Sequence, residues 1–297
     1  FLKKSAELKY IGLTDAVVKF QRHDSVWSQQ FLFDYFSSSS SDTSKKSGGL
    51  KIDIKELDLL NVSFLQKDEW VGQDMQLHLG GLKMKAEKID LSAKKANITS
   101  IVIDEPLFSI RGYDGRRPPR KDTLNPVTAL AKAATGLQWN KAGWDLTTKE
   151  LKIRNGHFTD DRETERAAYS FFDGQHIDFQ SIYGTFKNLQ WDKDTIRTDL
   201  QLSTKERSGI EVKSMTASVK WTPKEMDFRK LDLQTNNSRI RDHFRMSYDD
   251  FSDMDDFLHA ITLQGNFDNA DIDSDDIGYF APELRTWKKK ISLSGYV

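Results

Sequence analysis

An all-β fold follows from three observations in this sequence: one elongated, curved antiparallel sheet forming an open apolar groove (a β-taco), with one or two short helices. Apolar residues recur at every second position along most of the chain. Helical periodicity is confined to two short stretches, and no apolar run approaches the roughly eighteen residues that span a bilayer as a helix.

The alternation begins at Leu50, Ile52 and Ile54, with Lys51, Asp53 and Lys55 between them. Met75, Leu77 and Leu79 continue it, and Leu82 and Met84 follow after Gly80-Gly81, a pair that predicts a hairpin turn. The same habit recurs at Ile101 and Ile103, Leu151 and Ile153, Ile177 and Phe179, and Ile210 and Val212. It closes with Met215 to Trp221, with Met226 and Phe228, and with Leu231 and Leu233. Each run leaves one apolar face and one face of Lys, Asp, Glu, Thr and Ser, the signature of antiparallel strands with one wet side.

Two helical signals interrupt the pattern. Asn125-Pro126 leads a stripe of Val127, Leu130, Ala131 and Ala134 that stops at Gly136. Ser274, followed by Asp275, Asp276, Ile277 and Phe280, predicts one capped turn within 272–284, near Pro282. A polar loop over 37–49 reads as flexible, and 114–136 reads as a basic connector plus the first helix. Neither is flanked by a change of strand pattern, so 1–297 is taken as one continuous sheet. Starting at Phe1 and ending on a strand-like run, it reads as a piece of a longer protein.

Glu56-Leu57-Asp58-Leu59-Leu60-Asn61-Val62-Ser63-Phe64 matches Glu150-Leu151-Lys152-Ile153-Arg154-Asn155-Gly156-His157-Phe158 in spacing, with a partial third copy at Lys230–Asn236. The unit reads as a strand, a turn at Asn in the left-handed region, and re-entry with Phe. Repetition favours an elongated, layered sheet over a closed barrel. Counting each run separately gives roughly 15 to 20 strands and, at about 4.8 Å per strand, a sheet roughly 70–95 Å across.

Composition narrows function. Lys plus Arg number 44 against 45 Asp plus Glu, a net charge of -1, which argues against a nucleic-acid partner. With no cysteine, thiolate metal sites, iron–sulfur clusters, disulfides and a cysteine nucleophile are excluded. The six histidines share no ligand spacing. Asp271, Asp273 and Asp275 alternate as in a calcium loop, but Asp276 and Pro282 stand where that loop needs Gly and Glu, so helix capping is the better reading. No nucleophile elbow, dinucleotide turn or phosphate loop occurs, so neither an enzyme nor a cofactor is expected.

The apolar face must then be covered by a second sheet or left as a trough. An open trough is costly in water, about 25 cal/mol per Å² of apolar area, and an acyl chain would remove that cost. The expected lining is Ile52, Ile54, Leu57, Leu59, Leu77, Leu79, Ile101, Ile103, Leu151, Ile153, Ile177, Phe179, Val212, Val219, Leu231 and Leu233. A bulge would flip the parity of everything after it. Two other classes stay open: a scaffold docking client β-strands at its edges, and a carbohydrate-binding β-sandwich with a tryptophan platform.

Ser274-Asp275-Asp276-Ile277-Gly278-Tyr279-Phe280-Ala281-Pro282-Glu283-Leu284, followed by Ile291-Ser292-Leu293-Ser294-Gly295, is similar to a segment of Bacteroidetes TamB-like proteins. Arg245-Met246-Ser247-Tyr248 and Asp256-Phe257 fit as well, and the apolar-x-apolar-x-Asn unit resembles the wider AsmA/TamB superfamily. The resemblance implies a periplasmic protein anchored to the inner membrane by a segment outside this sequence, with a long β groove bridging the two membranes. It implies phospholipid or another acyl lipid as cargo, a role in outer-membrane biogenesis, and a BamA-like outer-membrane partner met by a region beyond this fragment. The matching signatures are structural and carry no catalytic residues.

Overall fold

A computed structural model describes residues 7–30, 51–90, 93–118, 139–163, 166–250, 253 and 257–296, the side chains of 7–8, 51–53 and 257–258 excepted. The strands are β1 (Glu7–Thr14), β2 (Val17–Arg22), β3 (Lys51–Asp68), β4 (Gln73–Asp90), β5 (Lys95–Gly112), β6 (Asp145–Arg162) and β7 (His176–Asp192). Then come β8 (Thr195–Glu206), β9 (Glu211–Thr222), β10 (Glu225–Gln234), β11 (Arg239–Ser247), β12 (Thr262–Asp273) and β13 (Lys290–Tyr296). All thirteen form one open sheet in chain order, with β1 and β2 both on the outer edge of β3. Helical turns α1 (Phe257–Ala260) and α2 (Ser274–Ile277), with a 3-10 turn at Pro282–Thr286, sit at strand ends. The loop 37–49 and the helix expected before Gly136 lie outside the described residues.

The sheet is mixed. β1 and β2 run parallel to β3, and β5 runs parallel to β6; the other pairs are antiparallel. Period two is the same in both kinds of pair, so alternation alone could not separate them.

Strand number and sheet width also differ from expectation, for one local reason. Gly80-Gly81 is not a hairpin: β4 runs straight through it. Asn61 and Asn155 do adopt the left-handed region, at φ 52 and 53, but inside β3 and β6 instead of at turns. Fewer and longer strands result. At about 4.8 Å per strand spacing and about 3.3 Å per residue, the strand order corresponds to a sheet about 53 Å across with eighteen-residue strands about 60 Å long.

These left-handed residues line up. Asn61, Glu105 and Asn155, with Gly80 opposite the first two, occupy one transverse row, which Asp15 extends to the β1–β2 junction and Ser181 into β7. A side chain on Gly80 would place its Cβ 3.1 Å from Glu105 Cβ, a tight approach that glycine avoids. On β10, β11 and β12, Lys230, Asp242 and Asn269 also adopt positive φ beside register shifts. Each such bulge adds one residue and bends its strand. Because neighbouring strands bulge together, Leu59 and Val62, three residues apart, stay on one face and share a buried cluster with Leu79. Sequence parity flips at the row, but neighbouring strands flip together, so their faces stay in phase.

Candidate lipid-binding face

Strand register brings most of the expected lining together. One row of directly paired residues runs Leu59, Leu82, Ile103, Ile153, Gly184, Leu202, Met215, Leu233 and Ile240, crossing every strand from β3 to β11. Beside it, Leu57, Met84, Ile101, Leu151, Phe186, Leu200 and Ala217 form a second row. Phe64, Leu77, Phe108, Phe158 and Phe179 form a third across the wider half. Directly paired side chains share a sheet face, so these rows are continuous apolar stripes.

The remaining expected residues are spread around them. Val219 pairs with Phe228 and Thr198, whereas Ile177 faces Asp160, Val212 faces Thr204, and Leu231 faces Asp242. Ile54 is half-buried on β3, and the Ile52 side chain lies outside the described residues. The rows also contain Leu82, which alternation picks out but the expected lining omits, and Phe108, Phe186, Leu200 and Leu202, which are in neither. The cross-strand register fixes their place in the rows.

Burial fits a surface more closely than an interior. Leu59, Leu79 and Leu231 are buried, but Ile103, Ile153, Leu202, Met215 and Leu233 are only half-buried. Each strand's close Cα approaches fall on its hydrogen-bonded neighbours, and among the described residues no second sheet lies over the apolar one. The two-layered sandwich required by the sugar-binding reading is therefore not what these strands build. At about 2.5 kcal/mol for each 100 Å² of apolar area kept in water, leaving such rows wet is expensive.

One end of the face is walled by aromatics. Trp221, in line with Ile196, Met226 and Met246, meets the Trp139 ring edge-on at 5.0 Å and donates from Nε1 to the Tyr248 hydroxyl at 2.8 Å. Tyr248 in turn donates to the Thr222 carbonyl. Burial raises the Tyr248 hydroxyl above the usual phenol range, so it stays a donor. Trp144 and Leu146 pack nearby on buried Ala86, Ala96 and Ile98. These tryptophans belong to the wall and are not an exposed platform.

Polar chemistry is kept off the stripes, and the buried acidic group at α2 is fully supplied with donors. Asp276, capped turn and all, is buried against the β10–β11 hairpin. Its carboxylate accepts from Thr235 Oγ1 at 2.5 Å, Asn237 N at 2.9 Å, Asn237 Nδ2 at 3.0 Å and Ser238 N at 2.8 Å. Burial pushes this carboxyl up, but those donors outweigh it and the net direction is down. The α2 cap is Asp273, one residue before the Ser274 expected, accepting from Asp275 N at 2.9 Å. With Asp275 bound to Lys288 and Asp271 to Ser292, the acidic run is spent on structure. Four histidines each face a separate partner: His78 meets Ser63, His157 meets Asp178, His176 meets Asp161, and His243 meets Asp227. Among the described residues no three His, Asp or Glu side chains converge as a metal site would require, and no helix is long and apolar enough to cross a membrane.

Compared with known proteins, the chain matches no family model and no curated protein.

Proposed function

We propose that this chain is a non-enzymatic carrier of acyl lipid, holding hydrocarbon chains against the apolar rows. The supporting observation is the nine-strand stripe from Leu59 to Ile240, whose members are mostly half-buried on an open sheet. A hydrocarbon chain covers such a stripe without needing any polar contact, which suits a wall with no convergent polar groups. In keeping with the TamB resemblance, the cargo is a phospholipid and the setting a periplasmic bridge anchored to the inner membrane. On this reading, outer-membrane biogenesis is the process served, with a BamA-like partner beyond this segment.

A photo-crosslinking residue at Ile153 tests the proposal, because Ile153 sits mid-row. Lipid adducts are the expected result; protein adducts alone would count against it. Ile153→Asp should abolish lipid loading while shifting the melting temperature little. A fall of many degrees with loading intact would point to a sealed core.

A second reading, a scaffold that adds a client strand, draws on β13. Among the described residues that strand is hydrogen-bonded on one side only, to β12, and nearly all its side chains are exposed. An unpaired edge of this kind is a template for another strand. Crosslinks concentrated on β13 instead of the stripe would favour it.

A further inference from the structure

The two rims of the sheet, where strands begin and end, differ in what their turns present. One rim carries the segment after β2, the β3–β4 turn, the segment after β5, the β6–β7 connection, the polar β8–β9 and β10–β11 turns and the α2 region. Its other tips expose apolar side chains: Val26 at 55%, Val71 at 48%, Tyr169 at 45% and Trp287 at 55%. Four arginine-over-ring contacts lie on this rim: Arg22 on Trp27 at 4.7 Å, Arg111 on Tyr113 at 5.9 Å, Arg166 on Tyr169 at 4.0 Å and Arg285 on Tyr279 at 5.1 Å. The opposite rim presents exposed Lys94, Lys141, Lys193 and Lys224 at its tips, and among the described residues its exposed large apolar side chains, Leu263 at 45% and Tyr296 at 74%, are confined to the β12–β13 corner. Aromatics occur there too, but Trp139, Trp144 and Tyr248 are packed inward.

We propose that the Val26–Val71–Tyr169–Trp287 rim docks on the headgroup layer of a lipid bilayer. A ring with a guanidinium over it is apolar on its body and polar at its tip, the chemistry enriched at membrane–water interfaces. The tips are separated, reaching from β2 to the β12–β13 connection, about 50 Å along the rim. A protein hot spot requires a contiguous, desolvated patch, which isolated tips do not make. A headgroup layer offers the same chemistry at each of them. Basic and acidic residues are close to balanced here, since Arg116, Arg117, Lys288 and Lys289 stand beside Glu69, Asp114, Asp275 and Glu283. Docking therefore does not depend on anionic lipid. The inference goes beyond lipid carriage: the rim can dock whether or not the stripe takes an acyl chain.

The absence of cysteine makes the test direct. Single cysteines placed at Val71 or Trp287, and at Lys94, Lys193 or Lys224 as controls, are labelled with a polarity-sensitive fluorophore. The protein is then mixed with phosphatidylcholine vesicles or with vesicles of phosphatidylcholine and phosphatidylglycerol. Labels on the apolar rim should shift to the blue with both vesicles, and labels on the lysine rim should not. In vesicle flotation, Val71→Ser and Trp287→Ser should each weaken binding about tenfold, the loss expected for one anchoring side chain. Equal shifts at both rims would overturn the proposal. So would no flotation, binding only to the anionic vesicles, or tip variants that float like the parent. Lipid crosslinking at Ile153 reads the stripe separately, so failure of one proposal leaves the other standing.

Discussion

The half of the sheet from β3 to β7 and the half from β8 to β13 hold themselves together by different means. In the first, strands of 17–18 residues bury apolar side chains, with one cluster around Leu59, Val62 and Leu79 and another around Ala86, Ala96 and Ile98. In the second, strands of 7–12 residues bury chiefly polar ones, with Glu206, Asp227, Thr235, Ser238, Ser274 and Asp276 nearly inaccessible. Strand length explains the contrast. A long strand in a single layer can shield the middle of its apolar row with its neighbours' side chains, whereas a short one is close to solvent along its whole length. The narrow half compensates with carboxylates supplied by neighbouring strands and turns: Asp227 is bonded by His243 and Arg229, Glu206 accepts from Asp178 N and Ser208 N, and Asp276 accepts from the β10–β11 turn. Hydrogen bonds to a charged group are the stronger kind, so a few suffice.

The largest expected loss comes from removing the carboxylate that pins α2 to the β10–β11 hairpin. Asp276→Ala leaves the Thr235 hydroxyl and the Asn237 and Ser238 amides without their acceptor, and should cost about 4 kcal/mol in chemical denaturation. A loss below about 1 kcal/mol would mean that the narrow half is held by something else.

Leu79→Ala removes a side chain 3% exposed from the wide half's cluster and should cost about 3 kcal/mol. Leu202→Ala, at a half-buried point of the stripe, should cost about half of that. Equal losses at the two positions would indicate a covered, evenly packed interior.

Acid should separate the halves. Asp227 is pushed up by burial, but bonding to His243 and the nearby Arg229 and Arg245 bring it down overall, as the donors do for Asp276. A carboxyl lowered in the fold stabilises it above the ordinary unfolded value, near 4, and that contribution drains away as pH falls through the folded value. Hydrogen exchange below about pH 4 should therefore open β10 and β11, together with the strand ends beside Asp68 and Asp173 whose carboxyls are lowered likewise, before the middles of β4 and β5. Simultaneous opening would contradict the comparison. At high pH, burial and then the bond to Asp74 push the Tyr113 hydroxyl up to about 12. Its contribution holds below the ordinary tyrosine value, near 10, and is lost as pH rises through about 12.

The smallest effect belongs to the bend row. Asn155→Ala, at φ 53, should cost about 1 kcal/mol, while Asn155→Gly should be close to neutral. Differential scanning calorimetry of both variants distinguishes a strained bulge from a freely adjustable one.

Much of the architecture was readable residue by residue. Alternation located the strands because side chains on a pleated backbone must point to opposite faces, and Asn61 and Asn155 marked left-handed backbone because their short amides tolerate it. The same backbone state can end a strand or merely bend it. Which occurs depends on whether the neighbouring strand carries a matching bulge, and Glu105, Ser181 and Lys230 give no compositional sign that they do. Leu202 and Phe186 were missed as members of the stripe for a related reason, since their place in it exists only through pairing across strands.

Local chemistry in the chain thus settled the all-β class, the amphipathic strands and the left-handed asparagines, because each depends on a residue and its immediate neighbours. Partners far apart in the chain settled the rest. Whether β5 and β6 run parallel, whether the bulges fall in one row, and whether the greasy face stays in phase across nine strands are all questions of register. Register is set by the summed packing of whole strands, a quantity no single stretch of sequence contains.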